Sequence, residues 1–442
     1  MEKIYRQINV YEAFQERMDY VFANFDNIYV GFSGGKDSGL LWHLLLQYME
    51  KHGIRRRIGL MHQDFEAQFQ ATSDYVEKVF TSAPDFTDRY WCCIPQAVEN
   101  SLSVYEPWWY TWDDQKKELW AREMPQYPYV YNLENHPFSF YRYRMPEEDF
   151  HNEFTAWYRD RCGGGKTIAL LGVRTDESLN RYRAVVAKQH MHGGMQWTTD
   201  FGEDCYNAYP LYDWTVEDVW TANGKFGFPY NHLYDLYQKA GISLAKMRVA
   251  SPFLSEGRSG LNTYRIVDPL MWSKLVGRVN GANFGAIYGK TKAVAYRDVK
   301  LPAGHTWKTY TEYLLSTLPK ETRENYERIF RTSMDFWHTK GGGMNQEVIR
   351  EAREKGLSFH LGGKSPWAKS NDIQAVIIDG DIPDDTDEIM STNDLPSWKR
   401  MCMCILRNDY TCKTMGFAPT KAQQEKINAI KDKYRSVMRG GE

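Results

Sequence analysis

A short apolar run at 27–32, NIYVGF, breaks into Ser33-Gly34-Gly35-Lys36-Asp37-Ser38 and passes at once into a helical pattern carrying Leu40, Leu41, Leu44 and Leu45. This stretch constrains the fold more than any other: it asks for a strand, a tight turn and a helix, in that order. Adjacent glycines after a strand permit positive φ and let backbone N–H groups converge on an anion. The amino end of the following helix adds partial positive charge at the same point. Ser33 and Ser38 bring hydroxyl donors, and Asp37 is placed to hold a magnesium ion riding on phosphates. The turn is neither the G-x-x-x-x-G-K-S/T phosphate loop nor G-x-G-x-x-G. The plainer alternative is a helix cap after a tight turn.

Strand-like runs recur through the first half with helices between them. An entry helix is expected over 10–24, with Phe14, Met18, Val21 and Phe22 on one face. The run at 57–62 leads to Asp64 and a helix near 72–80. The run at 89–94 carries Cys92 and Cys93, and 167–173 follows the glycines at 163–165. Such alternation predicts an α/β fold, a parallel sheet with helices on both faces. Ligands of these sheets sit beyond the carboxyl ends of the strands, where the glycine turn, Asp64 and Arg174 all fall.

At 442 residues the chain is long for one small core. Near 245 the alternation gives way to helical patterns, at 309–318 and 323–337, broken by the glycines at 341–343. Two domains are therefore expected, a nucleotide-binding one over 1–244 and a mostly helical one over 245–442. Between about 100 and 150 an aromatic, proline-punctuated section fits neither period and reads as an insertion. It is expected to form a satellite hydrophobic cluster, with base or peptide stacking as the alternative. The acidic run 379–388 reads as a solvated loop.

A net charge of -2 gives no global basic signature, so a DNA partner would need a local patch. The Lys and Arg of the last third are interleaved with acids, the pattern of a solvated surface. No apolar stretch is long enough for a membrane helix, and the start does not look like a secretory signal. A cytoplasmic protein with its 7 cysteines reduced is expected.

Three more constellations lie further along. Gly172-Val173-Arg174-Thr175-Asp176-Glu177-Ser178-Leu179-Asn180-Arg181 places two guanidiniums within reach of a phosphate or sulfate, with Glu177 to steady one of them. Taken alone, such a helix is more often a surface ion-pair ladder. Pro210 to Trp220 (PLYDWTVEDVW) is a turn capped into a helix by Thr215, and Gly227 to Tyr234 reads GFPYNHLY.

The turn S-G-G-K-D-S is similar to the PP-loop of the ATP pyrophosphatase superfamily. With Asp64, G-x-R-x-x-E-S-x-x-R, P-L-x-D-W-x-x-x-D-V-W and G-x-P-Y-N-x-L-Y following in this order, residues 25–240 resemble the phosphoadenylylsulfate (PAPS) reductase family. MCMCILRNDYTCKTMGF, at 401–417, resembles the C-terminal signature of a branch with a domain of unknown function, DUF3440. That branch includes the immunoglobulin-binding regulator A proteins, described as transcriptional co-activators of prophage genes and found beside a ParB/sulfiredoxin-like partner. The resemblance implies an adenine nucleotide α-hydrolase-like fold binding ATP, PAPS or APS with Mg2+. It implies contacts from Phe32, Ser33, Gly34, Gly35, Lys36, Asp37, Ser38, Asp64, Arg174, Glu177, Ser178 and Arg181. Lys36, Asp37, Arg174 and Arg181 would be catalytic, with Asp37 and Asp64 on the metal.

True PAPS reductases attack with a cysteine in a C-terminal E-C-G-I/L-H motif. This chain ends RSVMRGGE, so sulfonucleotide reduction is disfavoured. Cys92, Cys93, Cys402, Cys404 and Cys412 have the wrong spacing for a zinc ribbon or a paired iron–sulfur site and are expected to be buried thiols. Two functions stay open: cleavage of ATP between the α and β phosphates to adenylate an acceptor, or a nucleotide-gated regulator acting on a protein partner or DNA.

Overall fold

Alternating side chains make the central strands two-faced, and the fold follows from that. In the strand β1 (Asn27–Gly31) Ile28 and Val30 face one way and Tyr29 the other; in β7 (Thr167–Leu171) Ile168 and Leu170 oppose Ala169. The computed structural model describes residues 6–103, 106–177, 181–182, 185, 190–244, 247–249, 251–254, 261–279, 301–302, 304–364, 373–392, 394–412 and 415. Its main sheet has seven strands in the order β6-β3-β2-β1-β7-β9-β8. The others are β2 (Ile58–Gln63), β3 (Thr87–Cys92), β6 (Val130–Tyr131), β8 (Thr198–Asp200) and β9 (Cys205–Ala208). All neighbours pair in parallel except β8 with β9.

One face buries Ile28, Val30, Leu60, Ile168 and Leu170 against α1 (Val10–Asn24), α2 (Lys36–Lys51), α3 (Gln70–Ser82) and α5 (Val216–Phe226). The other buries Tyr29, Met61, Tyr90 and Ala169 under Phe150, Phe154 and Tyr158 of α4 (Glu147–Arg161). Helices on both faces explain the apolar runs of the central strands. Thr215 caps α5, taking an N–H from Asp218 and closing a capping box.

The aromatic insertion packs rather than projects. Strands β4 (Ala97–Glu99) and β5 (Trp108–Tyr110) pair with each other, β6 joins the sheet edge, and Trp109 and Trp112 are buried. Phe138 and Met145 belong to the core under α4, so the expected satellite cluster is in part main core.

The chain divides into a unit of 1–100 and 108–287 and a second of 101–107 and 288–442. The change of pattern near 245 would place the boundary earlier. Helices α6 (Leu233–Lys239), α7 (Leu261–Val267) and α8 (Pro269–Arg278) stay with the first unit, and Arg278 of α8 forms a buried ion pair there with Glu66. The second unit has α9 (Trp307–Thr317), α10 (Lys320–Thr339), α11 (Gln346–Glu354) and α12 (Trp398–Arg407). It also has an antiparallel sheet, β10-β12-β11, whose central strand is β12 (Gln374–Ile378). The helical expectation missed that sheet because β10 (Gly342–Met344) and β11 (Phe359–Lys364) each carry two glycines where strand formers would signal. Among the described residues no helix is long and apolar enough to cross a membrane.

Candidate functional site

The strand order reverses at β1: the connection through α2 leads to β2 on one side, while β7 pairs on the other. A crevice outside the carboxyl ends of two such strands is where open α/β sheets hold ligands. The Ser33–Ser38 turn leaves β1 there, and Arg174 follows β7. Gly34 has φ +75°, a left-handed conformation that a side chain would strain. The Ser33 and Ser38 hydroxyls lie 3.0 Å apart; the Ser33 N–H donates to Ser38 Oγ at 3.2 Å, and Gly35 N–H to Ser33 Oγ at 3.3 Å.

Two residues from the GFPYNHLY segment hold the turn from outside. Asn231 Nδ2 donates to the Gly34 carbonyl at 2.8 Å and to Thr72 Oγ1 of α3 at 3.0 Å. The Tyr234 hydroxyl accepts from Lys36 N–H at 2.9 Å. Burial, and then the nearby Asp37 charge, pushes the Tyr234 phenol well above its ordinary value, so it stays a neutral hydroxyl. Sequence reasoning assigned neither residue a role, although the motif that contains them was conspicuous.

The charged centre is compact. Lys36 Nζ lies 3.0 Å from Asp37 Oδ2, and Arg174 Nε donates to Asp37 Oδ1 at 2.6 Å. Arg174 Nη1 also reaches the Trp214 carbonyl at 3.4 Å, which gives the P-L-x-D-W segment its part in the site. Lys36 and Arg174 are both buried and share one buried carboxylate, Asp37. Within this buried trio one positive charge is left over beside a helix amino end, with the exposed Asp176 carboxylate 3.6 Å from Arg174 Nη1, an arrangement with room for an anion. A cavity of about 110 Å3 opens on Lys36 and Arg174, with Asp176, Glu177 and Arg248 at its polar edge. Arg248 was also missed; its guanidinium donates to the Glu177 carbonyl, and its own carbonyl accepts from Tyr237 at 3.0 Å.

Of the residues singled out in the sequence, Arg181 pairs with Glu177 at 2.7 Å, one turn beyond the centre. Ser178 lies outside the described residues. Phe32 is buried in the aromatic core, and its carbonyl accepts from His62 Nδ1 at 2.7 Å, so it braces β1 against β2.

Asp64 is engaged elsewhere. Its fully buried carboxylate accepts from Trp91 Nε1 at 2.7 Å and pairs with Arg122, and its Oδ1 takes the Glu66 N–H at 2.8 Å. Burial alone would raise its carboxyl, but Arg122, His62 and Trp91 together hold it below the ordinary value. Both Asp37 oxygens meet cations. The donor set therefore does not suit a protein-held magnesium, and no group of three or more His, Cys, Asp or Glu gathers among the described residues.

Cys92, Cys93, Cys402, Cys404 and Cys412 are all buried, and none lines the cavity. Burial raises the thiols of Cys92, Cys93 and Cys404 well above the ordinary value and that of Cys402 to about 12. A thiol so raised is a poor nucleophile.

Gly172 at the end of β7 makes the approach of Arg174 to Asp37 possible. A Cβ there would stand 2.7 Å from the Ser38 nitrogen and 2.8 Å from the Asp37 carbonyl carbon. Gly172→Ala is expected to push β7 off the α2 terminus and cost about 1–3 kcal/mol, with nucleotide affinity falling in parallel. Urea denaturation and nucleotide titration of the same sample check both.

A profile of the phosphoadenosine phosphosulfate reductase domain matches residues 132–243, and one of the domain of unknown function DUF3440 matches 241–426. The Ser33–Ser38 turn precedes both matches. The uncharacterized protein YbdN of Escherichia coli strain K12 is 32% identical over 429 residues, 95% of this chain and 93% of that protein. Among solved structures, a PAPS reductase from Candida auris in a phosphate complex covers 53% of this chain and 94% of its own, with TM-score 0.28 and 17% identity. An FMN adenylyltransferase from Candida glabrata covers 51% and 57%, with TM-score 0.30 and 13% identity.

Proposed function

Because this chain belongs to the family of Escherichia coli YbdN and joins a phosphoadenosine phosphosulfate reductase domain to DUF3440, we propose that it binds ATP at the Ser33–Ser38 turn and cleaves it between the α and β phosphates. The observation that carries this is the buried, net-positive Lys36–Asp37–Arg174 centre at the amino end of α2. The turn's N–H groups, Ser33 and Ser38 would hold the β and γ phosphates. Lys36 and Arg174 would neutralise charge developing at the α phosphorus, with Arg181 and Arg248 flanking.

An acceptor oxygen, or water, attacks the α phosphorus and forms a new P–O bond. The α–β bridging bond breaks, pyrophosphate departs with its electron pair, and the acceptor's proton goes to solvent. Positioning and electrostatics supply the acceleration, and no protein nucleophile is needed. That agrees with a cavity free of cysteine among the described residues.

The test supplies magnesium–ATP as substrate and measures AMP and pyrophosphate. Equal amounts of both are expected, with the rate falling roughly 100-fold or more in Lys36→Ala. ATP bound in a Lys36-dependent manner without either product would overturn cleavage. It would favour the second proposal, a nucleotide-gated co-activator working with a ParB/sulfiredoxin-like partner and DNA.

A further inference from the structure

Helix α3 has a second occupied side. Thr72 and Val76 lie against Gly34 of the turn, whereas Gln70, Ser73 and Glu77, at i, i+3 and i+7, line a cavity of about 580 Å3. The segment 121–127 and helix α8 form its other walls. Its volume is that of a small-molecule site.

The floor is built from buried groups: Trp91, Ala121, Met271 and the Arg122 guanidinium. Arg122 brings no free charge, because it is paired with Asp64 and lies 4.9 Å over the Trp112 ring. The remaining charges around the cavity are Glu77, Glu123 and Asp268 against Lys274 alone. Tyr127 donates its hydroxyl to Glu77. Asp268 accepts backbone N–H groups from Met271 at 3.0 Å and Gln70 at 2.8 Å. Those bonds orient the carboxylates without cancelling their charge, so the cavity keeps a negative excess of two. Its walls suit an apolar body: Tyr127 lies within 16° of parallel to Trp91, and Met124 and Met271 supply adaptable thioethers.

We infer that this cavity binds a small organic amine, its ammonium among Glu77, Glu123 and Asp268 and its apolar or aromatic body against Tyr127 and Met271. Carboxylates beside an aromatic face favour a cation twice, by direct attraction and through the ring quadrupole. An anion or a neutral ring would gain only part of this. The inference does not depend on ATP cleavage, because the two sites use different faces of α3.

The test is isothermal titration of the full chain with tryptamine, and with its neutral and acidic counterparts, indole-3-ethanol and indole-3-acetate. Saturable binding of one tryptamine per chain is expected, at least tenfold weaker for the alcohol and undetectable for the acid. The double variant Glu77→Gln, Glu123→Gln alters two exposed side chains and is expected to weaken tryptamine at least tenfold with an unchanged melting curve. Lys274→Met is expected to tighten it two- to fivefold. Lys36→Ala should leave it unchanged, which separates this site from the turn. Absence of saturable binding, equal binding of the acid, indifference to the double variant, or loss in Lys36→Ala would each overturn the inference.

Discussion

Arg174→Ala is expected to weaken ATP binding about 100-fold, the loss of one buried charge-assisted contact worth roughly 1.5–3 kcal/mol. Calorimetric titration reads the affinity directly. The same change takes one of two cations from the buried Asp37 and leaves it paired with Lys36, so part of any loss would come from a carboxylate held less firmly. Adding Asp37→Asn separates the two effects. In the double variant the fold regains stability and Lys36 restores the net charge of the trio, so ATP affinity that stays low assigns the loss to the guanidinium contact itself rather than to the charge count. Arg174→Lys is expected to restore little: an ammonium cannot bridge Asp37 and the Trp214 carbonyl as the guanidinium does. ATP affinity in Arg174→Ala equal to that of the unaltered protein would remove the centre from the site.

Arg278→Met is expected to destabilise the protein by about 3–5 kcal/mol, as when one partner of a buried pair is removed. Arg278 Nε lies 3.1 Å from Glu66 Oε1, and both side chains are almost fully inaccessible. Glu66 also accepts the Trp112 N–H at 2.7 Å and the Ala121 N–H at 2.8 Å, and it holds φ 62°. Burial raises its carboxyl above the ordinary value, even against Arg278. A raised carboxyl contributes stability below its unfolded pKa and loses it as pH rises through the folded value. Without Arg278 that decline steepens, so urea midpoints should fall further at pH 8 than at pH 5. A fall of equal size at both pH values would show that Glu66 carries no buried charge.

The geometry of the turn in the candidate site was legible because its signals are local. Strand, glycine turn and helix lie in one continuous stretch from 27 to 51, and Arg174 follows a strand whose apolar pattern is plain. The supports were not legible, since Asn231 meets Gly34 across 197 residues and no period links them. The partner of Asp64 was hidden for a related reason. A strand-end carboxylate is the right group in the right place for a ligand, yet Arg122, 58 residues later in the aromatic insertion, claims it. Two of the three strands of the second unit, β10 and β11, escaped notice because glycine carries no preference for a pleated surface.

Residues 101–107 belong to the second unit although the chain around them builds the first, and Asn408 Nδ2 donates to the Ser101 carbonyl at 3.3 Å across 307 residues. On the ribosome this segment emerges long before its neighbours exist. At roughly 5–20 residues per second it waits on the order of tens of seconds for them. The nascent first unit must close its sheet around a loop that is still unsatisfied, which exposes it to chaperones and proteases during that interval. A gene cut anywhere between codons 108 and 287 would make the wait permanent.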